Sequence, residues 1–243
     1  MNAIETKGLT RRFRDTLAVN GLDLSVREGE LFSLLGVNGA GKTTTIRMLT
    51  CLSLPTSGEA TILGYDVVRE AEKVREVTDV SPQETAVARK LTVRENLEMM
   101  AGIYGAGRQE SSERATQLME DLGLKKVEKK LARTLSGGMQ RRLSIAMALV
   151  SRPKVLFLDE PTLGLDVLAR RELWHLIRGL KGDVTIVLTT HYLEEAEALS
   201  DRVGILADGS LRAVGTPAEL IASSGAANFE EAFLRYAAGR EAF

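Results

Sequence analysis

Residues 31–43 read LFSLLGVNGAGKT, a short apolar run followed by a loop rich in glycine. The apolar run predicts a buried strand that ends at Gly36, and a stripe of residues at helical spacing follows the loop. Further along the chain, VLFLD and VTIVLTT predict two more buried strands, each followed by a helical pattern. Strands that alternate with helices predict an α/β fold, in which a parallel sheet carries helices on its faces.

The glycine-rich loop matches the pattern G-x-x-x-x-G-K-[ST], which is typical of loops that bind phosphate. Its glycines allow the backbone to curl, so that N–H groups point at phosphate oxygens, and the following helix adds the partial positive charge of its N-terminus. We expect Lys42 to reach the β- and γ-phosphates and the Thr43 hydroxyl to ligate Mg²⁺. The complete pattern and its flanks disfavour an ordinary glycine turn. The predicted nucleotide-binding residues here are Gly36, Asn38, Gly39, Ala40, Gly41, Lys42, Thr43 and Thr44.

A second stretch, VLFLDEP at 155–161, carries an apolar strand directly into two adjacent carboxylates. Charge at the end of a buried strand is costly unless it is paired or holds a metal. Beside a phosphate loop, Asp159 is expected to hold Mg²⁺ through water. Glu160 is expected to accept a proton from an attacking water. For an isolated acidic pair, a solvated surface position would be the better interpretation of Glu160.

The pattern changes from strands to helices in the middle of the chain. Residues 1–83 begin with alternating apolar residues typical of antiparallel strands, and residues 84–151 carry three apolar stripes at helical spacing. We therefore predict a P-loop NTPase core at 1–83 and 152–220, with an N-terminal antiparallel β portion. Residues 84–151 would form an inserted α-helical subdomain, and residues 221–243 a short C-terminal helical tail.

Capping signals mark several predicted helix ends. Thr92 and Glu95 form a capping box, and the TPAE sequence at 216–219 forms another with proline at the first helical position. Gly123 is placed to end the second helix of the insert.

Composition limits the classes of protein to which the chain could belong. The net charge is −1, from 32 basic and 33 acidic residues, which gives no electrostatic case for nucleic acid as the main partner. A single cysteine, Cys51, excludes an intrachain disulfide and fits a reducing cytoplasm. The start lacks a signal-peptide pattern, and no apolar stretch is long enough to span a bilayer. We therefore expect a soluble chain whose membrane role, if it has one, comes through a partner.

Three further motifs follow in a fixed order: PQ at 82–83, LSGGM at 135–139, and LGLD at 163–166 followed by His191. Together with the phosphate loop and VLFLDEP, this order resembles the ATP-binding subunits of ABC transporters over residues 1–220. The serine-glycine-glycine motif is specific to that superfamily, whereas a phosphate loop alone is not. The resemblance implies the ABC ATPase fold and transport-coupled ATP hydrolysis, with ATP and Mg²⁺ bound.

Within that family the chain looks most like the separate ATPase subunits of drug, antibiotic or ion exporters. The stretches that carry this likeness are GVNGAGKTTTIRMLTCL, LTVRENLEMMAGIYG, LSGGMQRRLSIAMAL and TTHYLEEAEALSDRVGIL, and the tail NFEEAFLRYAAGR resembles theirs. An importer ATPase stays open, and the short tail argues weakly against it. ABC ATPases that act on DNA or ribosomes carry long coiled coils, zinc cysteines or two cassettes, which this sequence does not show. A small-molecule kinase would not explain the serine-glycine-glycine motif or His191.

The resemblance implies roles for two residues beside the phosphates. Gln83 would contact Mg²⁺ or the attacking water and link the inserted helices to the γ-phosphate. His191 would contact the γ-phosphate and orient the water and Glu160. Taken alone, Gln83 would be an ordinary loop residue, and His191 a packed or solvated one.

Other residues are implied to act at the base or on a second subunit. Ser136, Gly137 and Gly138 would open a helix whose N-terminus points at the ATP held by a partner copy. Asp166 would lie on the loop between the two ATP sites. Phe13 matches the aromatic that stacks on adenine, although an aromatic side chain is more often part of a core.

The likeness implies two copies, or a pairing with a similar ATPase subunit, that sandwich two MgATP. Separate transmembrane permease subunits would receive the motion, which would place the chain peripherally at the cytoplasmic face of the membrane. Met139, Val37 and Leu163 depart from the commonest residues of the family. Leu163 stands where the family often has serine. It therefore lacks a hydroxyl near the partner's phosphate, which leaves the detail of that contact open.

We predict that the membrane subunit is contacted through residues of about 83–104. Helical spacing places Leu97, Met100, Ala101 and Tyr104 on a face that packs inward. Met99 and Ile103 then lie on another face, with Val87 and Leu91 in the approach to the helix. A cluster of exposed apolar residues suggests an interaction surface.

Overall fold

The computed structural model describes residues 1–238 of the chain. Within them lie ten strands and nine α-helices. The strands are β1 (Asn2–Phe13), β2 (Thr16–Arg27), β3 (Leu31–Leu35), β4 (Ser57–Ile62), β5 (Tyr65–Asp66), β6 (Thr78–Ser81), β7 (Val155–Asp159), β8 (Thr185–Thr190), β9 (Arg202–Ala207) and β10 (Ser210–Gly215). The helices are α1 (Lys42–Leu49), α2 (Ala71–Val77), α3 (Val93–Ile103), α4 (Arg108–Asp121), α5 (Gly137–Leu149), α6 (Val167–Gly179), α7 (Leu193–Leu199), α8 (Pro217–Ser224) and α9 (Phe229–Ala238).

The strands form two sheets of different character. One is antiparallel, in the order β2-β1-β4-β5, and corresponds to the predicted N-terminal β portion. The other runs in the order β10-β9-β3-β8-β7-β6, and its strands are parallel except for β10. The predicted α/β fold with a P-loop NTPase core is therefore confirmed.

The central strands of the parallel sheet are covered on both faces. All residues of β3, β7 and β8 are buried, which explains why they read as continuous apolar runs. Successive side chains of β7 point to opposite faces: Phe157 packs in the cluster between the two sheets, and Leu156 and Leu158 in the cluster on the helical side.

Parallel pairing brings the carboxyl ends of three strands together. Leu35 at the end of β3 pairs with Thr190 of β8, and Asp159 at the end of β7 pairs with Thr189. The residues that follow these strands therefore meet along one edge of the sheet, where ligands of open α/β sheets usually bind.

The helices of residues 84–151 share their hydrophobic core with the sheet. Val93, Leu97, Met119 and Leu143 belong to the same buried cluster as Leu156 of β7. The predicted limits of the insert stay a prediction, because this packing runs continuously into the sheet.

The predicted capping signals are confirmed. Thr92 and Glu95 make both reciprocal bonds of a capping box at α3, and Thr216 and Glu219 do so at α8. Gly123 follows the end of α4 with a φ of 67°. The short helix α2 was not anticipated by any sequence pattern.

Two predictions for the segment 83–104 need correction. Tyr104 does not pack inward: 45% of it is exposed, and its hydroxyl donates to Asp79 of β6. Val87 is half-buried and packs against the helical core, because residues 85–91 fold back towards Asn96. Met99 and Ile103 are exposed, as expected.

Within residues 1–238, none of the helices combines the length and the apolar character needed to cross a bilayer.

Candidate active site

The phosphate loop connects β3 to α1 at the carboxyl edge of the sheet. Gly39 and Gly41 have φ angles of 85° and 102°, a region that favours glycine. A Cβ atom added to Gly41 would lie 2.4 Å from the Ala18 carbonyl oxygen, and one added to Gly36 would lie 2.4 Å from that of Leu206. The loop is therefore glycine-rich because backbone packs directly against backbone on both sides.

Lys42 extends back along this loop. Its Nζ donates to the carbonyl oxygens of Gly36, at 2.8 Å, and Val37, at 3.1 Å. The same nitrogen lies 3.3 Å from Oε1 of Glu160. Only 5% of Lys42 is exposed, so the ammonium group sits in a largely desolvated position with one anionic neighbour.

Three oxygens converge where a metal ion is expected. The Thr43 hydroxyl lies 3.2 Å from Oδ1 of Asp159, to which the Thr189 hydroxyl also donates. Hydroxyl and carboxylate oxygens are the ligands that Mg²⁺ prefers, directly or through water. Thr43 and Asp159 therefore present oxygens of the kind that the ion prefers, and their role as Mg²⁺ ligands stays a prediction; the Thr189 hydroxyl fixes the orientation of the carboxylate.

Glu160 has a strained backbone. Its φ is 46°, which costs of the order of 1–3 kcal/mol for a residue with a side chain. Its N–H donates to the backbone oxygen and the hydroxyl of Thr189, each at 3.1 Å. This turn directs the carboxylate towards the phosphate loop. Backbone strain of this kind is typical of residues at functional sites.

His191 lies beside the second oxygen of the Glu160 carboxylate. Its Nδ1 lies 3.2 Å from Oε2 of Glu160, although the two atoms are not aligned for a hydrogen bond. Oε1 of the same carboxylate faces Lys42. Glu160 is therefore held between a lysine and a histidine, and 93% of it is shielded from solvent.

These residues surround one cleft of about 380 Å³. Its predicted lining residues are Asn38, Gly39, Gly41, Lys42, Thr43, Thr44, Gln83, Glu160 and His191. Ala18 and Leu163 also line it and were not assigned there from the sequence. The side chain of Gln83 is exposed at the cleft, whereas its backbone oxygen is bound by Arg141.

The remaining predicted residues lie outside this cleft. Ser136 caps α5 by accepting from the Met139 N–H, and Asp166 caps α6 by accepting from the Ala169 N–H. The two helix starts are in contact, because a Cβ atom on Gly138 would lie 3.1 Å from the Ala169 Cβ.

Ser136, Gly137 and Asp166 are exposed on this shared surface. Phe13 is 44% exposed at the end of β1, and the Arg11 guanidinium lies 4.4 Å from its ring centroid. The core position that was the alternative for Phe13 is therefore ruled out.

Arg141 and Thr189 are functional candidates that sequence reasoning missed. Thr189 belongs to an apolar strand, and nothing in its sequence context marks it as a partner of Asp159. Arg141 lies beside Arg142 in an ordinary helical pattern, and only its burial distinguishes it. The hydrogen bond from Thr189 to Asp159 and the burial of Arg141 can be seen only in the tertiary structure.

Comparison with known proteins agrees with this geometry. Residues 19–163 match the family described as ABC transporter. The chain is 45% identical over 224 residues to the daunorubicin/doxorubicin resistance ATP-binding protein DrrA of Streptomyces peucetius, covering 92% of this chain and 68% of that protein. It is 44% identical over 217 residues to the human phospholipid-transporting ATPase ABCA3, covering 88% of this chain but 13% of that protein.

Solved structures give the same result. A structure described as an ATP-binding subunit of an ABC transporter superposes with a TM-score of 0.84 at 30% identity, covering 96% of this chain and 99% of the other. The superposition covers nearly the whole chain, and the described residues place Lys42, Glu160 and His191 around one cleft. The chain belongs to the ABC transporter family, as an ATP-binding subunit with ATPase activity.

Proposed function

We propose that two copies of the chain close on two MgATP and that hydrolysis drives export through separate membrane subunits. The observation that carries this proposal is the position of Glu160. Its carboxylate lies beside the phosphate loop, adjacent in sequence to Asp159 and between Lys42 and His191. A carboxylate there can accept the proton of a water that attacks a γ-phosphate.

Lys42 and His191 act on the two oxygens of that carboxylate in this proposal. Lys42 exchanges Glu160 for phosphate oxygens when ATP enters, which frees Oε1 for the water. His191 lies beside Oε2 and lines the same cleft. The hydrogen bonds from the Glu160 N–H to Thr189 hold the backbone of this residue, which helps to keep its carboxylate in one place.

The Mg²⁺ ion would be held by Thr43 and Asp159, with Gln83 at the open side of the cleft. When bound, the ion neutralises negative charge on the phosphate oxygens. Thr189 keeps the Asp159 carboxylate turned towards Thr43. The adenine would stack on Phe13, whose exposed ring already has Arg11 on one face.

The second copy supplies the other half of each site. Ser136 and Gly137 are exposed and lie outside the cleft of their own chain, but helix N-terminal N–H groups bind anions well. A partner copy could place them against the γ-phosphate, with Gly138 and Asp166 on the same surface. ATP then favours the closed pair because it contacts both copies only in that state.

The membrane subunits would dock on residues of about 83–104, which places the chain at the cytoplasmic face of the membrane. Export is favoured over import because DrrA, at 45% identity, is named for drug resistance. The transported molecule is determined by the membrane subunits. An importer ATPase and an ABC ATPase acting on DNA or ribosomes are the alternatives.

Replacing Glu160 with glutamine tests the proposal. Glu160→Gln should bind ATP nearly as well as the parent, lower kcat by about 10²–10⁴-fold and accumulate an ATP-held dimer in size-exclusion runs with MgATP. Glu197→Gln, an exposed acid on α7, is the matched control. Turnover at the parental rate in Glu160→Gln would remove Glu160 from the mechanism, and a monomer under all conditions would contradict the paired arrangement.

A further inference from the structure

Arg141 lies at the junction of three segments that carry site residues. From α5, its Nη1 donates to the Pro82 oxygen and its Nη2 to the Gln83 oxygen, both at 2.6 Å. The same Nη2 lies 3.4 Å from the Glu160 backbone oxygen. We propose that Arg141 is a positioning residue that couples the start of α5 to the backbone of Glu160 and Gln83. This inference rests on the proposed role of Glu160.

The burial of Arg141 indicates that these contacts are specific. Only 4% of the residue is exposed, and in the part of the chain that the structure describes it forms no ion pair with a carboxylate. Burial lowers the pKa of its guanidinium, and the charges of Asp159 and Glu195 act in the opposite direction. A cation buried in this way is tolerated when its N–H groups are hydrogen-bonded, and here backbone oxygens accept from both Nη atoms.

The geometry requires an arginine in particular. A guanidinium group is planar and presents its N–H donors as a rigid fork, so two of its nitrogens can bind two neighbouring acceptors at once. Here the fork spans the consecutive carbonyls of Pro82 and Gln83. A lysine would present its donors from a single nitrogen, so it could not bind these two carbonyls from two separate nitrogens while also lying near the Glu160 backbone oxygen.

Arg141 also completes the restraint on Glu160. The N–H of Glu160 is held by Thr189, and its carbonyl oxygen accepts from the Leu163 N–H at 3.2 Å and from the Arg141 guanidinium at 3.4 Å. The residue between these contacts has a left-handed backbone, so a shift at either side changes where its carboxylate points. An error of about 1 Å in such a position can cost on the order of 10²-fold in rate.

The position of Arg141 on α5 indicates that the proposed coupling runs from the start of this helix to Gln83 and Glu160. Ser136 caps the same helix five residues earlier, which corresponds to about 7.5 Å of helix. The hydroxyls of Ser144 on α5 and Ser81 on β6 are 3.1 Å apart in a buried contact, so the helix is also tied to the strand that precedes Gln83. Movement of the helix start by a partner copy would therefore reach Gln83 and Glu160 through Arg141.

The experiment compares Arg141→Gln and Arg141→Lys with Arg114→Gln. Arg114 is a matched control because it also donates to a backbone oxygen, that of Val150 beyond the far end of α5, without reaching the cleft. We expect Arg141→Gln to lower kcat by about 10- to 100-fold while the Kd for ATP changes less than about twofold. Arg141→Lys should recover only part of the rate, and Arg114→Gln should keep the parental kcat even if its Tm falls equally.

Two results would overturn the inference: a parental kcat in folded Arg141→Gln, or an equal loss of kcat in Arg114→Gln at the same Tm. Should Arg141→Gln fail to fold, Arg141→Lys decides, and a parental kcat there would contradict the need for the fork. Glu160→Gln separates this inference from the proposed function. If Glu160→Gln abolishes turnover while the Arg141 variants are normal, only the coupling is wrong.

Discussion

The Nζ atom of Lys42 lies 3.3 Å from Oε1 of Glu160, and both side chains are buried. The lysine that is placed to hold phosphate therefore has the proposed catalytic carboxylate as its neighbour in this structure. Removal of either charge would leave the other buried with less compensation, and such losses are usually costly. The two substitutions should nevertheless differ in their effect on ATP binding, because only Lys42 is proposed to contact phosphate.

Lys42→Ala should weaken ATP binding as well as turnover. The ammonium is proposed to contact phosphate in both the ground and the transition state, so its loss raises Kd and lowers kcat. We expect at least a tenfold increase in the Kd of a fluorescent ATP analogue, whereas Glu160→Gln should change that Kd little. Unchanged affinity in Lys42→Ala would contradict the assignment.

Thr189→Val should raise the Mg²⁺ concentration needed for half-maximal ATPase activity. The substitution keeps the shape of the side chain but removes the hydroxyl that donates to Asp159 and accepts from the Glu160 N–H. Thr185→Val is the matched control, since Thr185 is buried at the other end of the same strand and its hydroxyl accepts from the Gly29 N–H, outside the cleft. An equal change in both variants would show a general effect on the strand instead.

Asp79→Asn should gain stability relative to the parent as the pH rises from the ordinary pKa of an aspartate through the raised pKa of Asp79. Burial raises the pKa of Asp79, although hydrogen bonds from Tyr104, Val80 and Ser151 oppose the shift. A carboxyl group with a raised folded-state pKa contributes stability at low pH that is lost as pH rises through that value. Urea unfolding at several pH values measures the difference, because asparagine cannot ionise.

Asp66→Asn provides a control of opposite sign. A hydrogen bond from the Arg69 N–H lowers the pKa of Asp66, so its contribution is present above the unfolded-state pKa and is lost as pH falls. This variant should become less stable relative to the parent as the pH rises through the acidic range. If the free energies of unfolding of the two variants, each relative to the parent, changed with pH in the same direction, the predicted role of burial at Asp79 would be refuted.

Met99→Asp combined with Ile103→Asp should leave the isolated ATPase folded and active but prevent its association with the membrane subunit. These side chains are 39% and 69% exposed, so charge is accommodated on the surface of α3. Val87→Asp should instead lower the Tm, because Val87 packs against the helical core. Normal assembly of the folded double variant in a co-purification experiment would show that this surface is not the contact.

Several features of the fold could be read from short stretches of sequence. The phosphate loop, the apolar strand that ends at Asp159 and the capping boxes at Thr92 and Thr216 are local patterns. Each depends on backbone geometry within about one turn or one strand, so its residues are close in sequence as well as in space. These features, and the order of the motifs, sufficed to predict the fold class.

The same local rules failed where packing between distant segments decides exposure. Spacing alone placed Tyr104 inward, but the end of α3 reaches β6, where Asp79 accepts the Tyr104 hydroxyl. Val87 was taken as a surface residue, but the loop that precedes α3 turns back over the core. A helical period indicates which residues share a face and does not show how far the neighbouring element extends.

By itself, the sequence determined the α/β class, the phosphate loop and the likeness to ABC ATPases, because glycine spacing, apolar periodicity and motif order are written along the chain. The likeness implied that Lys42, Glu160 and His191 act together, but only the tertiary structure gave their contacts, since these depend on the parallel register of β3, β7 and β8. It also decided that Thr189 and Arg141 hold the backbone of Glu160. Hydrogen bonds between residues far apart in sequence leave no local pattern, because each partner alone is an ordinary residue of its own strand or helix.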